Sequence, residues 1–196
     1  MRARLALVAS GTDYELREVK LSAKPAAMVE ASSKATVPVL VLPDGQVIDE
    51  SLEIMRWSLS HNDPDGWLMR DAPDLIAAND GPFKQDLDRY KYHDRYASDA
   101  ATHRHNGLKF LIELNARLAD KGQLCGKEPG IADMAIMPFV RQFAATDKTW
   151  FDAQPLPHLQ TWLEGHLASG LFAAIMTKLP FWQDDAAPSL ERRLPV

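Results

Sequence analysis

Residues 34–57 read KATVPVLVLPDGQVIDESLEIMRW, and the reading of this stretch decides the fold. An apolar run from Val37 to Leu42 meets a turn signal in Pro43-Asp44-Gly45, and Val47-Ile48 begins a return strand. Gly45 is free to take the positive φ of a tight hairpin. From Ser51 the period changes to that of a helix with Leu52, Met55 and Leu59 on one face. Pro38 is the odd member of this strand–hairpin–helix unit. Proline donates no backbone hydrogen bond, so in a sheet it belongs at a strand's first residue, an edge or a bulge. A trans proline at a strand entrance is the default. The alternative is a cis Val37–Pro38 bond, which would turn the N–H and C=O of Val37 away from the sheet. They would then be free to pair with an extended peptide, as an added strand pairs with a sheet edge.

The context that favours the alternative lies thirteen residues later. Asp49-Glu50-Ser51 stands where capping residues belong, immediately before the helix. Capping is one use of such residues. The other rests on the same physics: the unpaired N–H groups and partial positive charge of a helix N-terminus hold a carboxylate well, and the serine hydroxyl adds a donor. Glu50 beside it would take an ammonium. Together the two ends of the hairpin would grip a peptide that carries an α-amino acid at one end.

The rest of the chain sets bounds. Its 196 residues are enough for one large domain or two small ones, with a core that needs no staple. The net charge of −5 is spread out, and the basic pair Arg192-Arg193 is the only basic cluster, which argues against nucleic acid or an anionic membrane as the main partner. Cys125 is the single cysteine; it excludes an intramolecular disulfide and a cysteine-based zinc site and fits a reducing, cytoplasmic setting. The opening MRARLALVASGT lacks a cleavage site and is too short to span a bilayer.

Residues 1–10 read as the body of a helix that starts without a capping residue, and residues 14–19 alternate as a half-buried strand does. Lys24-Pro25 opens a short helical stretch. Two prolines and a glycine make residues 62–73 the linker between a unit at 1–61 and an all-helical unit at 74–196. In the second unit, residues 75–96, 102–121, 131–144, 156–168 and 171–178 are the expected helices.

The Val37-Pro38, hairpin, Glu50-Ser51, helix run resembles the N-terminal, thioredoxin-like domain of cytosolic glutathione transferases. The resemblance implies that the proline segment pairs with glutathione's cysteinyl backbone and that Glu50 and Ser51 hold its γ-glutamyl end. Lys24-Pro25 is similar to a Lys-Pro of omega-like members, which implies Lys24 against the glycyl carboxylate. In the helical half, Pro129-Gly130-Ile131-Ala132-Asp133 resembles the family's capping motif before its central helix. The implied fold is therefore an α/β thioredoxin-like domain, truncated at its front, followed by an all-α domain. Glutathione is the implied co-substrate, with a small hydrophobic or electrophilic second substrate and a homodimer as the expected assembly.

Two departures bear on function. Gly130 stands where the capping motif usually has Ser or Thr, at an expected cost of a few tenths of a kcal/mol, and Pro138 falls inside the same helix. At the front, residues 1–7 resemble the segment just after the cysteine motif of omega-like transferases, which would put the catalytic cysteine and the central first strand upstream of Met1. Without that strand the inner edges of residues 14–19 and 37–42 stand unpaired, so this unit is expected to be weak, rearranged or completed by another segment or chain. The economical explanation is that Met1 is not the natural start. Ser10 lies at the wrong end of the first helix and Cys125 reads as a small buried residue, so no catalytic residue is assigned. No metal is expected either: His103 and His105 are two residues apart on a helix and point apart. The aromatic, charged run at 88–96 is read as a packed helix with a solvated face, or by resemblance as the wall facing the hydrophobic substrate. Trp182 either closes that cleft or simply packs. Two functions remain open. One is a glutathione transferase of the cysteine type, active as a thiol transferase or dehalogenase when its front end is complete. The other is a non-catalytic binding or regulatory module of the same fold.

Overall fold

The computed structural model describes residues 1–182 and divides them between two compact units, one formed by the first 65 residues with the segment from Gly170 and the other by residues 66–169. Arg192 and Arg193 lie outside the described residues.

In the first unit, α1 (Arg2–Ala9) is followed by α2 (Ala26–Ala31), β1 (Leu40–Val41), β2 (Val47–Ile48) and α3 (Ser51–His61). β1 and β2 form an antiparallel hairpin that pairs Leu40 with Ile48 and Val41 with Val47. Gly45 takes φ +88° at its tip. The core is small: Ala3 and Leu7 of α1 meet Ile54 of α3, and Tyr14, Leu40, Ile48 and Trp57 pack around them. The buried stripe of α3 is Ile54, Met55, Ser58 and Leu59, while Leu52 is only half-buried. The buried stripe thus keeps Met55 and Leu59 of the expected face, begins after Leu52 and widens to take in Ile54 and Ser58.

Residues 14–19 do not form the expected strand. A ladder needs a backbone partner, and here the segment has a single parallel bridge among the described residues, Glu18 with Phe181, while Glu15 and Glu18 are half-buried along with Tyr14, Leu16 and Val19. The N–H of Trp182 donates to the Glu18 carbonyl at 2.7 Å, and the Arg17 guanidinium lies over the Trp182 ring, 4.7 Å from its centroid. Arg4 binds the Glu18 carboxylate and donates to the Ile175 carbonyl of α11 (Gly170–Ile175). Trp182 therefore packs on this edge, and the helical unit expected to run through 196 gives up its last described segment to the first unit.

The second unit begins with a buried Trp67 in a 3₁₀ turn, so residues 62–73 are not bare linker. Then come α4 (Pro73–Ala78), a π turn at Asn79–Phe83, α5 (Lys84–Lys91), α6 (His93–Tyr96), α7 (Ala100–Lys121), α8 (Ile131–Thr146), α9 (Lys148–Asp152) and α10 (Pro157–Leu167). The long helix expected at 75–96 is broken by Pro82, whose missing N–H is absorbed by the wider π turn, and again at Tyr92. α8 is buried on nearly every side, as a central helix should be. Its Phe143 stacks with Phe83 and Tyr90 at centroid distances of 5.5 and 5.1 Å, lying close over Gly107 of α7. Among the described residues no helix is long and apolar enough to cross a membrane.

Candidate functional site

The hairpin register brings the two decisive dipeptides together. Leading away from the Leu40–Ile48 pair, one arm carries Pro38 and Val37 and the other carries Glu50 and Ser51 to the same end of the hairpin. The Val37–Pro38 bond is cis. Val37 is 48% exposed, and among the described residues its N–H and C=O have no hydrogen-bond partner. A short peptide edge is thus open to solvent beside the start of α3.

That helix start is uncapped. Glu50 occupies the N-cap position in extended backbone, but neither it nor its neighbours return a side-chain hydrogen bond to the first turn. The capping use of Asp49-Glu50-Ser51 is not the one the fold makes of them. The first-turn N–H groups stay available, Ser51 is half-buried, and its hydroxyl has no partner among the described residues.

The acidic side chains are held by a residue the sequence motifs do not point to. Lys34 Nζ donates to Glu50 Oε1 at 2.7 Å and to Asp49 Oδ1 at 3.1 Å, while the buried Ser32 hydroxyl donates to Asp49 Oδ2 at 2.9 Å. The Glu50 and Asp49 contacts raise the Lys34 pKa above its ordinary value, and the bonds from Lys34 and Ser32 lower that of Asp49. Lys34 and Glu50 are exposed and Asp49 is half-buried, so the ion pairs orient side chains more than they add stability. A lysine three residues before Val37, facing two acids across a hairpin, is the signal that would identify it. Lys24 is exposed at the approach to α2 and has no ion-pair partner among the described residues. Its relation to the hairpin end is not fixed by any bond.

The remaining candidates have surroundings of their own. Ser10 is buried at the C-terminal end of α1, where its hydroxyl donates to the Leu7 carbonyl and meets Thr12 Oγ1 at 2.7 Å. Cys125 belongs to the helical unit, and burial, with the Asp133 carboxylate next in weight, pushes its thiol pKa up. The Ser10 hydroxyl thus has no base for a partner, and the Cys125 thiol is shifted away from the thiolate that an activated nucleophile needs. His103 Nδ1 meets Asp86 Oδ1 at 2.6 Å, and among the described residues no group of three metal-ligating side chains assembles.

In the helical unit the capping motif is built around Asp133. Its fully buried carboxylate accepts from the N–H of Gly130 and Leu124 and from Trp162 Nε1, each at 2.9 Å. Gly130 carries no hydroxyl for the other half of a capping box. The Arg70 carbonyl takes that part instead, accepting from the Ala132 N–H at 3.4 Å, while Arg70 Nε donates to the Pro129 carbonyl at 2.8 Å.

Comparison with known proteins agrees with both halves. The family model for the glutathione S-transferase N-terminal domain matches residues 1–60, and that for the C-terminal domain matches residues 99–165. The chain belongs to the glutathione S-transferase family. Its fold is that of the family, a thioredoxin-like N-terminal domain with a small sheet and a helical C-terminal domain. Among solved structures it is similar to a glutathione S-transferase from Rhodospirillum rubrum, at 20% identity and a TM-score of 0.73 over 96% of this chain and 90% of that one. The Tau class glutathione S-transferase of mango, Mangifera indica, is 22% identical, with a TM-score of 0.73 over 90% and 87% of the two chains. A glutathione transferase family member from Pseudomonas fluorescens, described with two glutathione molecules bound, is 18% identical, with a TM-score of 0.69 over 88% and 85%. No curated protein matches the chain.

Proposed function

We propose that this glutathione S-transferase family protein binds glutathione at the end of the hairpin. The observation that carries the reading is the meeting of an open Val37-Pro38 edge with the uncapped N-terminus of α3. The backbone of Val37 pairs with the cysteinyl residue of the tripeptide, next to Pro38. The Ser51 hydroxyl and the first-turn N–H groups take the γ-glutamyl carboxylate, and Glu50 takes its ammonium. Lys34 does not block this last contact: it also holds Asp49, so one Glu50 oxygen is free for a second cation. Lys24 is assigned to the glycyl carboxylate on the strength of the resemblance to omega-like members. The glutathione-bound Pseudomonas relative supports the ligand.

Calorimetric titration of glutathione into the 196-residue chain tests the reading. Each charge-assisted bond contributes about 1.5–3 kcal/mol, so Glu50→Gln and Ser51→Ala should each weaken binding about tenfold or more. Absence of binding at millimolar glutathione, or variants that bind like the parent, would refute it.

For the chemistry, transfer of glutathione to a small hydrophobic electrophile, or reduction of a disulfide by a cysteine, is the enzymatic form of this reading, in a cytoplasmic homodimer. The non-catalytic module is favoured by one observation: the Ser10 hydroxyl is spent on the Leu7 carbonyl, and burial pushes the Cys125 thiol pKa up. These 196 residues are therefore expected to bind glutathione and to turn over neither 1-chloro-2,4-dinitrobenzene nor a glutathione mixed disulfide. Robust turnover would return the chain to the enzymes.

A further inference from the structure

We infer that Lys34 is a specificity-determining residue of the hairpin end: it fits that end to a zwitterionic α-amino acid group rather than to a bare ammonium. The inference rests on the glutathione reading above and names the residue that decides which charge pattern the site accepts.

Lys34 is fixed from two sides. The turn at residues 32–35 closes with the Ala35 N–H donating to the Ser32 carbonyl at 2.9 Å, and Ala35 takes a left-handed φ of +48°. A non-glycine residue keeps such a conformation only where its surroundings over-determine it. Ser32, 4% exposed, also donates its hydroxyl to Asp49 Oδ2 at 2.9 Å. One buried residue therefore anchors both the backbone that carries Lys34 and the carboxylate that receives it. From there Lys34 Nζ donates to Asp49 Oδ1 at 3.1 Å and to Glu50 Oε1 at 2.7 Å.

The consequence is electrostatic. Asp49 and Glu50 immediately precede α3, and carboxylates there serve the positive end of a helix themselves and repel a foreign carboxylate that approaches it. Here neither side chain bonds to the first turn, and both are turned to Lys34 instead. Two carboxylates and one ammonium leave the cluster a single negative charge, the match for one ligand ammonium. The first turn of α3 and the Ser51 hydroxyl are left to a ligand carboxylate. Without Lys34 the cluster would carry two negative charges, which draw a bare ammonium more strongly and push a carboxylate away. The contacts with Glu50 and Asp49 raise the Lys34 pKa, so its charge is kept through neutral pH.

The test compares glutathione with 4-aminobutyryl-cysteinylglycine, the same tripeptide without its α-carboxylate. Each is titrated calorimetrically into the full chain and into its Lys34→Met and Lys34→Arg variants, at low ionic strength, where exposed charges are least screened. Lys34 is exposed, and circular dichroism verifies the fold of both variants. The parent should prefer glutathione. Lys34→Met should bind glutathione about fivefold more weakly, yet bind the decarboxylated analogue at least as tightly as the parent does. Lys34→Arg should restore the parent's preference. A merely structural role would weaken both ligands together. The inference is overturned by that parallel loss, by a parent without preference, by Lys34→Met binding both ligands like the parent, or by Lys34→Arg behaving as Lys34→Met. The two readings fail distinguishably. A parent that binds no glutathione sinks both, whereas one that binds it, and is weakened by Ser51→Ala but not by Lys34→Met, loses only the role of Lys34.

Discussion

Replacing Gly130 by serine should destabilise the protein, although every capping rule says the opposite. Serine is the better N-cap by a few tenths of a kcal/mol, and the motif around Asp133 has room in its chemistry for a hydroxyl. It has no room in its geometry. A methyl carbon on Gly130 would lie 2.4 Å from the Cβ of Arg70 and 2.4 Å from its carbonyl oxygen. That oxygen is backbone, held by the Ala132 N–H, and the Arg70 side chain is tied to Pro129, so neither atom swings away as a flexible side-chain end would. Overpacking of this kind costs about 1–3 kcal/mol, and forcing Arg70 outward also loses its bond to Ala132. Against the capping gain, the net loss is about 2 kcal/mol, which lowers the melting temperature by about 4–8 °C for a chain of this length. Thermal unfolding followed by circular dichroism at 222 nm reads it. Gly130→Ala separates the causes, because it brings the same carbon without the hydroxyl and should fall at least as far. An unchanged or higher melting temperature for Gly130→Ser would refute the argument.

Gly107→Ala should lose about 1 kcal/mol in urea unfolding, because a methyl group 2.5 Å from Phe143 Cε2 outweighs a helix-propensity gain of about 1 kcal/mol; a stabilised variant would show that Phe143 gives way freely. Ala35, two residues before Val37, has φ +48°, so Ala35→Gly should remove a left-handed penalty of about 1–2 kcal/mol at an entropic cost of about 0.5–1 kcal/mol. A small rise in melting temperature is expected, and a fall counts against strain there. His166 is held neutral, since burial lowers its pKa below 6.5 more than Asp133 raises it. The unfolded chain therefore takes up a proton that the folded one refuses, and stability is full above pH 6.5 and falls as the pH drops below it. Urea midpoints of the parent and of His166→Gln, measured from pH 7.5 down to 5, should differ in slope over that window, and parallel curves would sink the assignment. The Cys125 thiol, raised by burial, should react with a disulfide reagent at neutral pH more slowly than free glutathione does; equal or faster rates would contradict its environment.

The parts of the molecule legible in the sequence are those that local chemistry decides. Ser51–His61 follows its apolar period, the hairpin follows Pro43-Asp44-Gly45, and the pairing of Val37-Pro38 with Glu50-Ser51 follows from the hairpin's length. Whether Glu50 and Ser51 cap or wait for a ligand is not legible, because both uses need the same residues. Only the absence of a side-chain bond to the first turn separates them. Lys34 escapes sequence reasoning because its partners lie fifteen and sixteen residues away, across the hairpin. The Arg70 clasp escapes it because a carbonyl 60 residues before Gly130 leaves no trace in residue type.

Residues 14–19 make the same point from the other direction. Their alternation is one of residue type alone: Tyr14 packs on the core of the first unit and Arg17 is exposed over Trp182, but Glu15, Leu16, Glu18 and Val19 are all half-buried. A strand at a half-buried position leaves one wet and one dry face, whereas here Arg4 of α1 binds the Glu18 carboxylate and draws a charged side chain in beside the apolar ones. Sheet formation adds a second demand, a row of backbone partners, and here the pairing is an isolated bridge at Glu18, with Phe181 and Trp182. The hairpin end that holds Val37 and Ser51 depends on none of this. Its register is set by Leu40, Val41, Val47 and Ile48, and its helix by the buried stripe of α3, so the proposed glutathione site is organised by local pairing while the sheet around it is not.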